Sequence, residues 1–311
     1  MTPGKILLLA LGGNALIRKG QAGTIGEQFE NLGTPLRQVA RLSQSYRVIL
    51  THGNGPQVGD LLLRQECCSG NTVSLPLEIL VAQTQGQIGY MIESSLDTEL
   101  MELEGAVQKP IVSLISYVVV NENDPGFTAP TKPIGPVLSE EQALSAPYPV
   151  RKTAKGPRRV VASPQPVTIV EKKEIKQLIG QDFIVICCGG GGIPVVRQGR
   201  RFSGVDAVID KDLASACLAR EVGVEVFCIV TDVEGAYHDY GGPNQKLLGT
   251  VTASEVEKLL ADGAFPPGSM GPKMEACLEF VRNGGREAII CSIDSIEDAI
   301  EGRKGTRILK D

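Results

Sequence analysis

The sequence predicts an α/β protein of three layers, in which a central, mostly parallel open sheet lies between helices and a small lid subdomain protrudes. The first observation is a set of three glycine-rich turns, each directly after a strongly apolar run. The second is the alternation of strand-like and helix-like segments, which is typical of a parallel sheet covered by helices on both faces. The third is a proline-rich stretch at residues 121–166 that interrupts this alternation.

The three glycine-rich turns predict a binding edge. An apolar run followed by glycines indicates a buried parallel strand that ends in a tight turn, and glycine lets backbone N–H groups approach an anion. One such turn would be weak evidence, but three predict a row of strand ends, where open α/β sheets bind ligands. We therefore expect a phosphate-handling enzyme. The turns are residues 11–14, 52–55 and 189–192.

The remaining elements follow from hydrophobic periodicity. Short apolar runs predict strands, and longer segments with apolar residues three or four positions apart predict helices. The expected strands are residues 5–10, 47–51, 107–120, 183–188, 225–231, 288–291 and 306–309. The expected helices are residues 26–45, a helix that starts near residue 56, and residues 75–103, 212–221, 253–262, 273–283 and 296–301.

Residues 121–166 predict a functional lid. Proline at this density suppresses helices and central strands, and a long stretch without a core of its own is typical of a lid or a small inserted subdomain. The alternative is a surface loop. We favour the lid, because residues 158–162 (RRVVA) and 167–170 offer enough apolar strand to anchor it.

The composition predicts a soluble globular protein. The chain has 311 residues, 42% of them hydrophobic and 22% charged, with a net charge of −5, which argues against disorder and against nucleic acid as the main partner. No apolar run is long enough to cross a bilayer, and the first one is too short for a secretion signal. Eight cysteines without CxxC spacing and two histidines argue against a zinc site. We expect reduced cysteines in a cytoplasmic protein.

Three lysines, each beside a turn, are candidates for phosphoryl-transfer chemistry. This reaction needs positioning and positive charge against the phosphoryl oxygens, and Lys132, Lys211 and Lys273 would supply that charge. Asp210 and Asp212 flank the second lysine and would hold the lysines in place or help to coordinate Mg²⁺. Taken singly, each of these residues is more often a surface charge, and Asp212 is also a candidate helix N-cap.

Other mechanisms lack their motifs. The sequence contains no GxxxxGK[ST] loop and no GxGxxG after its first strand, which excludes a P-loop enzyme and weakens a dinucleotide-binding interpretation. His52 ends a strand, where histidine more often hydrogen-bonds loop backbone than acts as a base. No Ser-His-acid arrangement is evident. Phosphoryl transfer to an anionic acceptor needs no general base.

Six ordered segments carry a family resemblance. They are residues 10–15 (ALGGNA), 51–59 (THGNGPQVG), 132–136 (KPIGP), 189–195 (GGGGIPV), 207–214 (AVIDKDLA) and 268–273 (GSMGPK). Together they resemble the carbamate kinases of the amino-acid kinase superfamily, over essentially the whole chain. The resemblance implies reversible phosphate transfer between ATP and carbamate, giving ADP and carbamoyl phosphate, with Mg²⁺ and in a homodimer. It also implies a carbamate-binding lobe at residues 1–222, which carries the lid, and a nucleotide-binding lobe at residues 223–311.

The resemblance also implies roles for individual residues. Lys132 on the lid would reach over the site, Lys211 and Lys273 would neutralise phosphate charge, and Asp212 would orient the lysines. Mg²⁺ would be held mainly by nucleotide phosphates, without a direct protein ligand. The residues expected to cradle carbamate and the transferred phosphoryl group are Gly12, Gly13, Asn14, Gly53, Asn54 and Gly55. Those expected at the nucleotide are Gly190, Gly191, Thr231, Asp232, Val233, Tyr237, Met270 and Gly271.

The lid departs from the family pattern. Pro157 stands where a tryptophan is expected and Ala162 where a proline is expected, and the chain has no tryptophan. This difference concerns lid packing and acceptor preference. Two other functions stay open at this point: a kinase that acts on another carboxylate, and a catalytically silent nucleotide sensor. The physiological direction is expected to be ATP synthesis in catabolism, and arginine, agmatine and purine breakdown all remain open as sources. The helix at residues 75–90 is a candidate dimer surface.

Overall fold

The computed structural model describes residues 4–67, 73–153, 156–265 and 270–311. Its strands are β1 Ile6–Leu11, β2 Arg47–His52, β3 Ile111–Ser113, β4 Tyr117–Val120, β5 Lys132–Pro133, β6 Val150–Thr153, β7 Gly156–Val161, β8 Pro166–Ile169, β9 Ile184–Ile186, β10 Ile193–Gln198, β11 Arg201–Gly204, β12 Val226–Thr231, β13 Tyr237–His238, β14 Lys246–Leu247, β15 Thr250–Thr252, β16 Glu287–Ser292 and β17 Thr306–Leu309. Its helices are α1 Ile25–Ser43, α2 Gly55–Cys67, α3 Leu77–Glu102, α4 Glu140–Ser145, α5 Lys172–Gly180, α6 Lys211–Val222, α7 Ala253–Ala261, α8 Met270–Arg282 and α9 Ile296–Ile300.

One eight-stranded sheet forms the centre of the molecule. Its strand order is β15-β17-β16-β12-β1-β2-β9-β3, and every neighbouring pair is parallel except β16 and β17. The strands from residues 6–186 occupy one half of the sheet, and those from residues 226–309 occupy the other. β1 and β12 meet at the middle, so both halves of the chain share one hydrogen-bonded sheet.

The two faces of this sheet are buried by separate helix layers. Leu7 and Leu9 of β1 belong to a core formed with α1, α3 and α9, whereas Leu8 points to the opposite face, which α5, α6, α7 and α8 cover. All six residues of β1 are buried, as expected for a parallel strand covered on both sides. The predicted three-layer fold is therefore confirmed.

Most predicted elements occur within a few residues of their expected bounds. Residues 107–120, predicted as one strand, form two: β3 joins the central sheet, and β4 pairs with β8 and β10 in a second sheet of order β11-β10-β4-β8. The sequence did not reveal α5 or the β10–β11 hairpin. Helix α5 buries only Ile175 and Ile179, so its apolar pattern is short.

The lid, residues 121–166, contains a small antiparallel sheet of order β5-β7-β6 and the helix α4. Ser139 caps α4 by accepting from the Gln142 N–H, which explains why a helix forms in this proline-rich stretch. The lid returns to the body through a bridge between Ala162 and Ala207, next to α6. Part of the 268–273 segment, Gly268 and Ser269, lies outside the described residues, as does Cys68.

Candidate active site

The carboxyl ends of three adjacent strands form the base of the site. The Gly12 N–H donates to the Val230 carbonyl of β12 at 2.9 Å, and the Gly53 N–H donates to the Leu11 carbonyl of β1 at 3.1 Å. A Cβ added to Gly12 would approach the Val230 oxygen to 2.8 Å, so this position requires glycine. The turns that follow β1 and β2 therefore meet beside the end of β12, as the sequence predicted for a binding edge.

The third glycine turn, residues 189–192, packs against the turn after β2 and against the segment before α6. Gly190 and Gly191 have φ values of +66° and +87°, which favour glycine. A Cβ on Gly190 would lie 2.2 Å from Asn54 Nδ2, and one on Gly191 would lie 2.5 Å from the Ile209 carbonyl oxygen. The structure thus places these two residues beside the turn after β2 and the segment before α6. Their expected contact with nucleotide stays a prediction.

Asn54 carries an unsatisfied acceptor. Its Nδ2 donates to Thr84 Oγ1 at 2.9 Å, and the Thr84 hydroxyl donates onward to the Val81 carbonyl at 2.7 Å, which fixes the orientation of the amide. Asn54 Oδ1 is buried and has no hydrogen-bond partner among the described residues. A buried acceptor without a donor is uncommon and calls for a ligand.

Two residues of α3 that brace the site were missed as site residues. Thr84 orients Asn54, and Gln85 Nε2 donates to the carbonyls of Gly189 and Ser116 at 3.0 and 2.9 Å. The sequence drew attention to this part of the helix only as a candidate dimer surface. The apolar periodicity of α3 places Thr84 and Gln85 on its buried face. Polar residues on a buried helix face were the sequence signal that could have identified them.

The predicted lysines and aspartate converge on one cluster. Lys132 Nζ donates to Asp210 Oδ2 at 2.6 Å, and Lys273 Nζ donates to Asp212 Oδ2 at 3.0 Å. The other oxygen of Asp212 accepts from Lys211 Nζ. Three ammonium groups from the lid, α6 and α8 therefore share two carboxylates. The stem of Lys211 lies against Gly53, since a Cβ there would meet Lys211 Cδ at 3.4 Å.

Asp210 is the N-cap of α6, and Asp212 is not. Asp210 Oδ1 accepts from the Asp212 N–H at 2.9 Å, which satisfies one free donor of the first helical turn. Because Asp210 performs the capping, both oxygens of Asp212 are available to Lys211 and Lys273. The interpretation of Asp212 as a helix cap is therefore wrong, and Asp212 lies in the lysine cluster.

The cluster keeps both carboxylates ionised. Burial alone would raise the pKa of Asp210, but the charge of Lys132 and then of the other two lysines lowers it well below its usual range. The pKa of Asp212 is also lowered, because Lys211 and Lys273 outweigh burial. Burial lowers the pKa of Lys211 in spite of Asp212. For Lys273 the charges of both aspartates outweigh burial and raise the pKa.

His52 is neutral at physiological pH. It is fully buried at the end of β2, and burial lowers its pKa from 6.5 to about 4, with a smaller contribution from the charge of Lys211. Its Nδ1 lies 3.2 Å from the Gly53 carbonyl oxygen. The imidazole therefore hydrogen-bonds loop backbone, as the sequence suggested, and carries no positive charge near pH 7.

Most of the residues predicted for nucleotide lie at the end of β12 and the start of α8. Thr231 ends β12, and its hydroxyl donates to Asp232 Oδ1 at 3.2 Å. The charge of Asp232 acts on Lys273, which links this edge to the lysine cluster. Tyr237 is half-buried in β13, with its ring centroid 5.6 Å from that of Tyr240. Val233 follows Asp232 directly, and Met270 and Gly271 form the first turn of α8 ahead of Lys273.

Close backbone contacts fix the part of the lid that carries Lys132. β5 pairs with β7, and the Gly135 N–H donates to the Gly55 carbonyl at 3.0 Å. The guanidinium of Arg158 donates to the Gly135 carbonyl from both Nε, at 3.1 Å, and Nη2, at 2.5 Å. The sequence did not assign a role to Arg158. Its planar group fastens the turn that follows Lys132.

The lid packs without the expected tryptophan. Pro157 pairs with Lys152 in the β6–β7 hairpin, and Ala162 forms the bridge to the body. Arg159 lies over the ring of Tyr148, 4.1 Å from its centroid, and its Nη1 lies 2.6 Å from Glu66 Oε1 of α2. The ion pair therefore holds the lid to α2, and the Tyr148 ring supports its arginine from within the lid.

The carboxylates of the cluster are already paired with lysines. Within the described ranges, no group of three or more His, Cys, Asp or Glu side chains is arranged to bind a metal ion. In the same part of the chain, no helix combines the length and apolarity that crossing a membrane requires.

Comparison with known proteins agrees with this geometry. Residues 5–292 match the model of the amino acid kinase family. The carbamate kinase of Thermococcus kodakarensis is 43% identical, over 99% of this chain and 100% of that protein. The carbamate kinase of Clostridium perfringens is 41% identical, over 98% and 99% of the two chains.

Solved structures give the same result. Carbamate kinase from Giardia lamblia bound to citric acid has a TM-score of 0.93 and 38% identity over the whole of both chains, and the form bound to AMP-PNP has a TM-score of 0.90. N-acetylglutamate synthase from Neisseria gonorrhoeae, at 16% identity and a TM-score of 0.61, shares the fold alone. The chain belongs to the amino acid kinase family and, within it, to the carbamate kinases.

Proposed function

We propose that the protein catalyses reversible phosphoryl transfer, ATP + carbamate = ADP + carbamoyl phosphate. The observation that carries this proposal is the convergence of Lys132, Lys211 and Lys273 on two buried carboxylates beside the glycine turns. Phosphoryl transfer depends on positioning and on positive charge that is in place before the reaction. The cluster offers both, since its ammonium groups are held by Asp210 and Asp212. Full-length similarity to carbamate kinases supports carbamate as the acceptor.

The turns after β1 and β2 bind the acceptor and the transferred phosphoryl group. Their backbone N–H groups are accessible because glycine has no side chain. The unsatisfied Oδ1 of Asn54 suits a ligand with an N–H donor, and the amino group of carbamate is one. The residues of this part of the site are Gly12, Gly13, Asn14, Gly53, Asn54 and Gly55.

The nucleotide binds at the end of β12 and the start of α8. This edge adjoins β1, so the γ-phosphate of ATP would meet the acceptor near the lysine cluster. Residues 223–311 then form the nucleotide lobe, and residues 1–222 form the acceptor lobe. The residues of this part of the site are Thr231, Asp232, Val233, Tyr237, Met270 and Gly271, with Gly190 and Gly191 behind the acceptor turn.

Mg²⁺ accompanies the nucleotide and would neutralise charge on its phosphates. The side chains present fit this mode of binding, because both cluster carboxylates are occupied by lysines and leave the ion to phosphate oxygens. The lysines then act directly on the transferred group. Lys132 contributes from the lid, and Lys211 and Lys273 contribute from the body. His52 hydrogen-bonds loop backbone, and an anionic acceptor requires no general base.

The setting of the reaction is part of the same proposal. The enzyme acts as a homodimer in the cytoplasm and runs toward ATP synthesis in catabolism. Helix α3 is the dimer surface we favour, since it exposes Ile79 and Tyr90 on its outer side. An exposed apolar helix face is typical of an interface between subunits.

The first experiment is a coupled assay of ATP formation from ADP, carbamoyl phosphate and Mg²⁺ with purified protein. Rapid, Mg²⁺-dependent ATP production above the uncatalysed decay of carbamoyl phosphate is the expected result. Turnover with acetylglutamate or aspartate in place of carbamate would indicate a different carboxylate kinase. Tight ATP binding without turnover of any acceptor would indicate a nucleotide sensor.

A further inference from the structure

We infer that Asp210 is a positioning residue that holds Lys132 of the lid over the active site before substrate binds. The inference rests on the proposed function and adds a role for a residue outside the acceptor and nucleotide sites. Asp210 reaches the transferred group only through Lys132.

The two oxygens of Asp210 have separate partners. Oδ1 accepts from the Asp212 N–H at 2.9 Å and caps α6, and Oδ2 accepts from Lys132 Nζ at 2.6 Å. The cap bond fixes the carboxylate relative to the helix that carries Lys211 and Asp212. The ion pair therefore ties the lid lysine to the same helix as the rest of the cluster.

The other contacts of the lid hold its backbone and leave this ammonium group free to move. They act at Gly135, which binds Gly55 and Arg158, at the Ala162 bridge and at the ion pair of Arg159 with Glu66. A lysine stem has four rotatable bonds, so a fixed backbone does not fix the ammonium group. Asp210 supplies that restraint in a partly shielded place, where the Lys132 side chain is 23% and the Asp210 side chain 18% exposed.

The pair can persist when an anion arrives. An ammonium group has three donors, and Asp210 uses one of those on Lys132, so others remain for phosphoryl oxygens. Asp210 also sets the charge of the site. The three lysines and two carboxylates of the cluster leave one net positive charge, and the loss of the Asp210 charge would leave two.

The restraint on Lys132 and the negative charge of Asp210 predict that a variant without this charge binds substrate more tightly but turns it over more slowly. In Asp210→Asn, asparagine keeps the helix cap but loses the charge. The greater positive charge strengthens binding of ADP and carbamoyl phosphate, so the KM for carbamoyl phosphate falls. The unrestrained Lys132 lowers kcat by about tenfold or more. A purely structural defect would not lower KM and kcat together.

A double-mutant cycle tests whether Asp210 acts through Lys132. If it does, adding Asp210→Asn to Lys132→Ala changes the residual kcat by less than about twofold, because the restrained group is already absent. Glu66→Gln is the matched control, since it breaks the other ion pair of the lid, with Arg159, away from the cluster. We expect it to change kcat by less than about twofold. A further fall of about tenfold in the Lys132→Ala background would overturn the inference.

Side-chain NMR relaxation of the ligand-free protein with isotopically labelled lysine separates this inference from the proposed function. We expect Asp210→Asn to increase the mobility of the Lys132 side chain and to leave that of Lys273, which pairs with Asp212, unchanged. If wild-type protein forms no ATP, the proposed function fails, and the relaxation experiment alone decides on Asp210. Unchanged mobility of the Lys132 side chain would then overturn its positioning role.

Discussion

Gly59 of α2 and Gly135 of the lid are in backbone contact: a Cβ added to Gly59 would lie 2.0 Å from the Gly135 nitrogen and 2.1 Å from its Cα. Gly135 has φ +68° and follows Lys132 by three residues. The position of the lid lysine thus depends on two glycines that allow a helix and a turn to touch. This contact connects the packing of α2 to the chemistry of the site.

Gly59→Ala should push the lid away from α2. The added methyl group has no space, and overpacking of this kind costs about 1–3 kcal/mol of stability. We expect kcat/KM for ATP formation to fall by about tenfold or more, because Lys132 moves with the turn. Gly26→Ala is the control, since a Cβ at Gly26 meets nothing within 4 Å. Equal activity of the two variants would contradict the dependence of Lys132 on this contact.

Lys132→Ala should depress turnover and leave folding intact. Loss of one positive charge at the transferred group is expected to lower kcat by about 100- to 1000-fold. The melting temperature should change little, since Lys132 contributes no apolar core. Lys152→Ala, at an exposed lid lysine, is the control and should retain activity. Near-normal kcat in Lys132→Ala would remove this residue from the site.

Asp212→Asn should strongly lower kcat without unwinding the start of α6. The buried Lys211 and Lys273 lose their shared counter-charge, whereas the cap at Asp210 remains. Breaking a buried charge network of this kind costs about 3–5 kcal/mol, so kcat is measured on protein shown to be folded by circular dichroism. Asp97→Asn, at an exposed position of α3, serves as control. Normal kcat with only a lower melting temperature would refute the orienting role.

The stability of the protein should fall between pH 6.5 and about pH 4 because of His52. The unfolded chain binds a proton at this side chain with a pKa near 6.5, but the folded protein binds it only near pH 4. Protonation therefore favours the unfolded state through this window, by about 3 kcal/mol in total. Urea unfolding at pH 7 and pH 4.5 should show a smaller loss in His52→Gln than in wild type. His238→Gln, at an exposed histidine, should show the wild-type loss.

Lys211 should lose its proton before Lys273 as the pH rises. Burial lowers the pKa of Lys211, whereas the charges of Asp212 and Asp210 raise that of Lys273. The initial rate of ATP formation, corrected for decay of carbamoyl phosphate, is therefore expected to decline below the usual lysine pKa of 10.5. Lys211→Arg, whose guanidinium stays charged, should be slower at neutral pH but lack this decline. An identical decline in both proteins would assign it to another group.

The sequence predicted the site best where the signal is local. Glycine turns after apolar runs located the ends of β1, β2 and β9, and the motifs around Lys211 and Lys273 pointed to two lysines that the fold brings together at Asp212. The roles of Thr84, Gln85 and Arg158 escaped sequence reasoning. Each acts on a partner 23 to 104 positions away, and no local pattern shows which partner a polar side chain will find.

The sequence by itself determined the layers of this protein, because hydrophobic periodicity and glycine position decide which segments become buried strands, helices and turns. It also supplied the lysines and aspartates that we propose for phosphoryl transfer. Only the tertiary structure decided which contacts each aspartate makes. Asp210 caps α6 and pairs with Lys132, and Asp212 pairs with Lys211 and Lys273. The physical reason is that two aspartates in the same short segment have the same local propensities. Their roles differ because the fold brings the lid to one of them and α8 to the other.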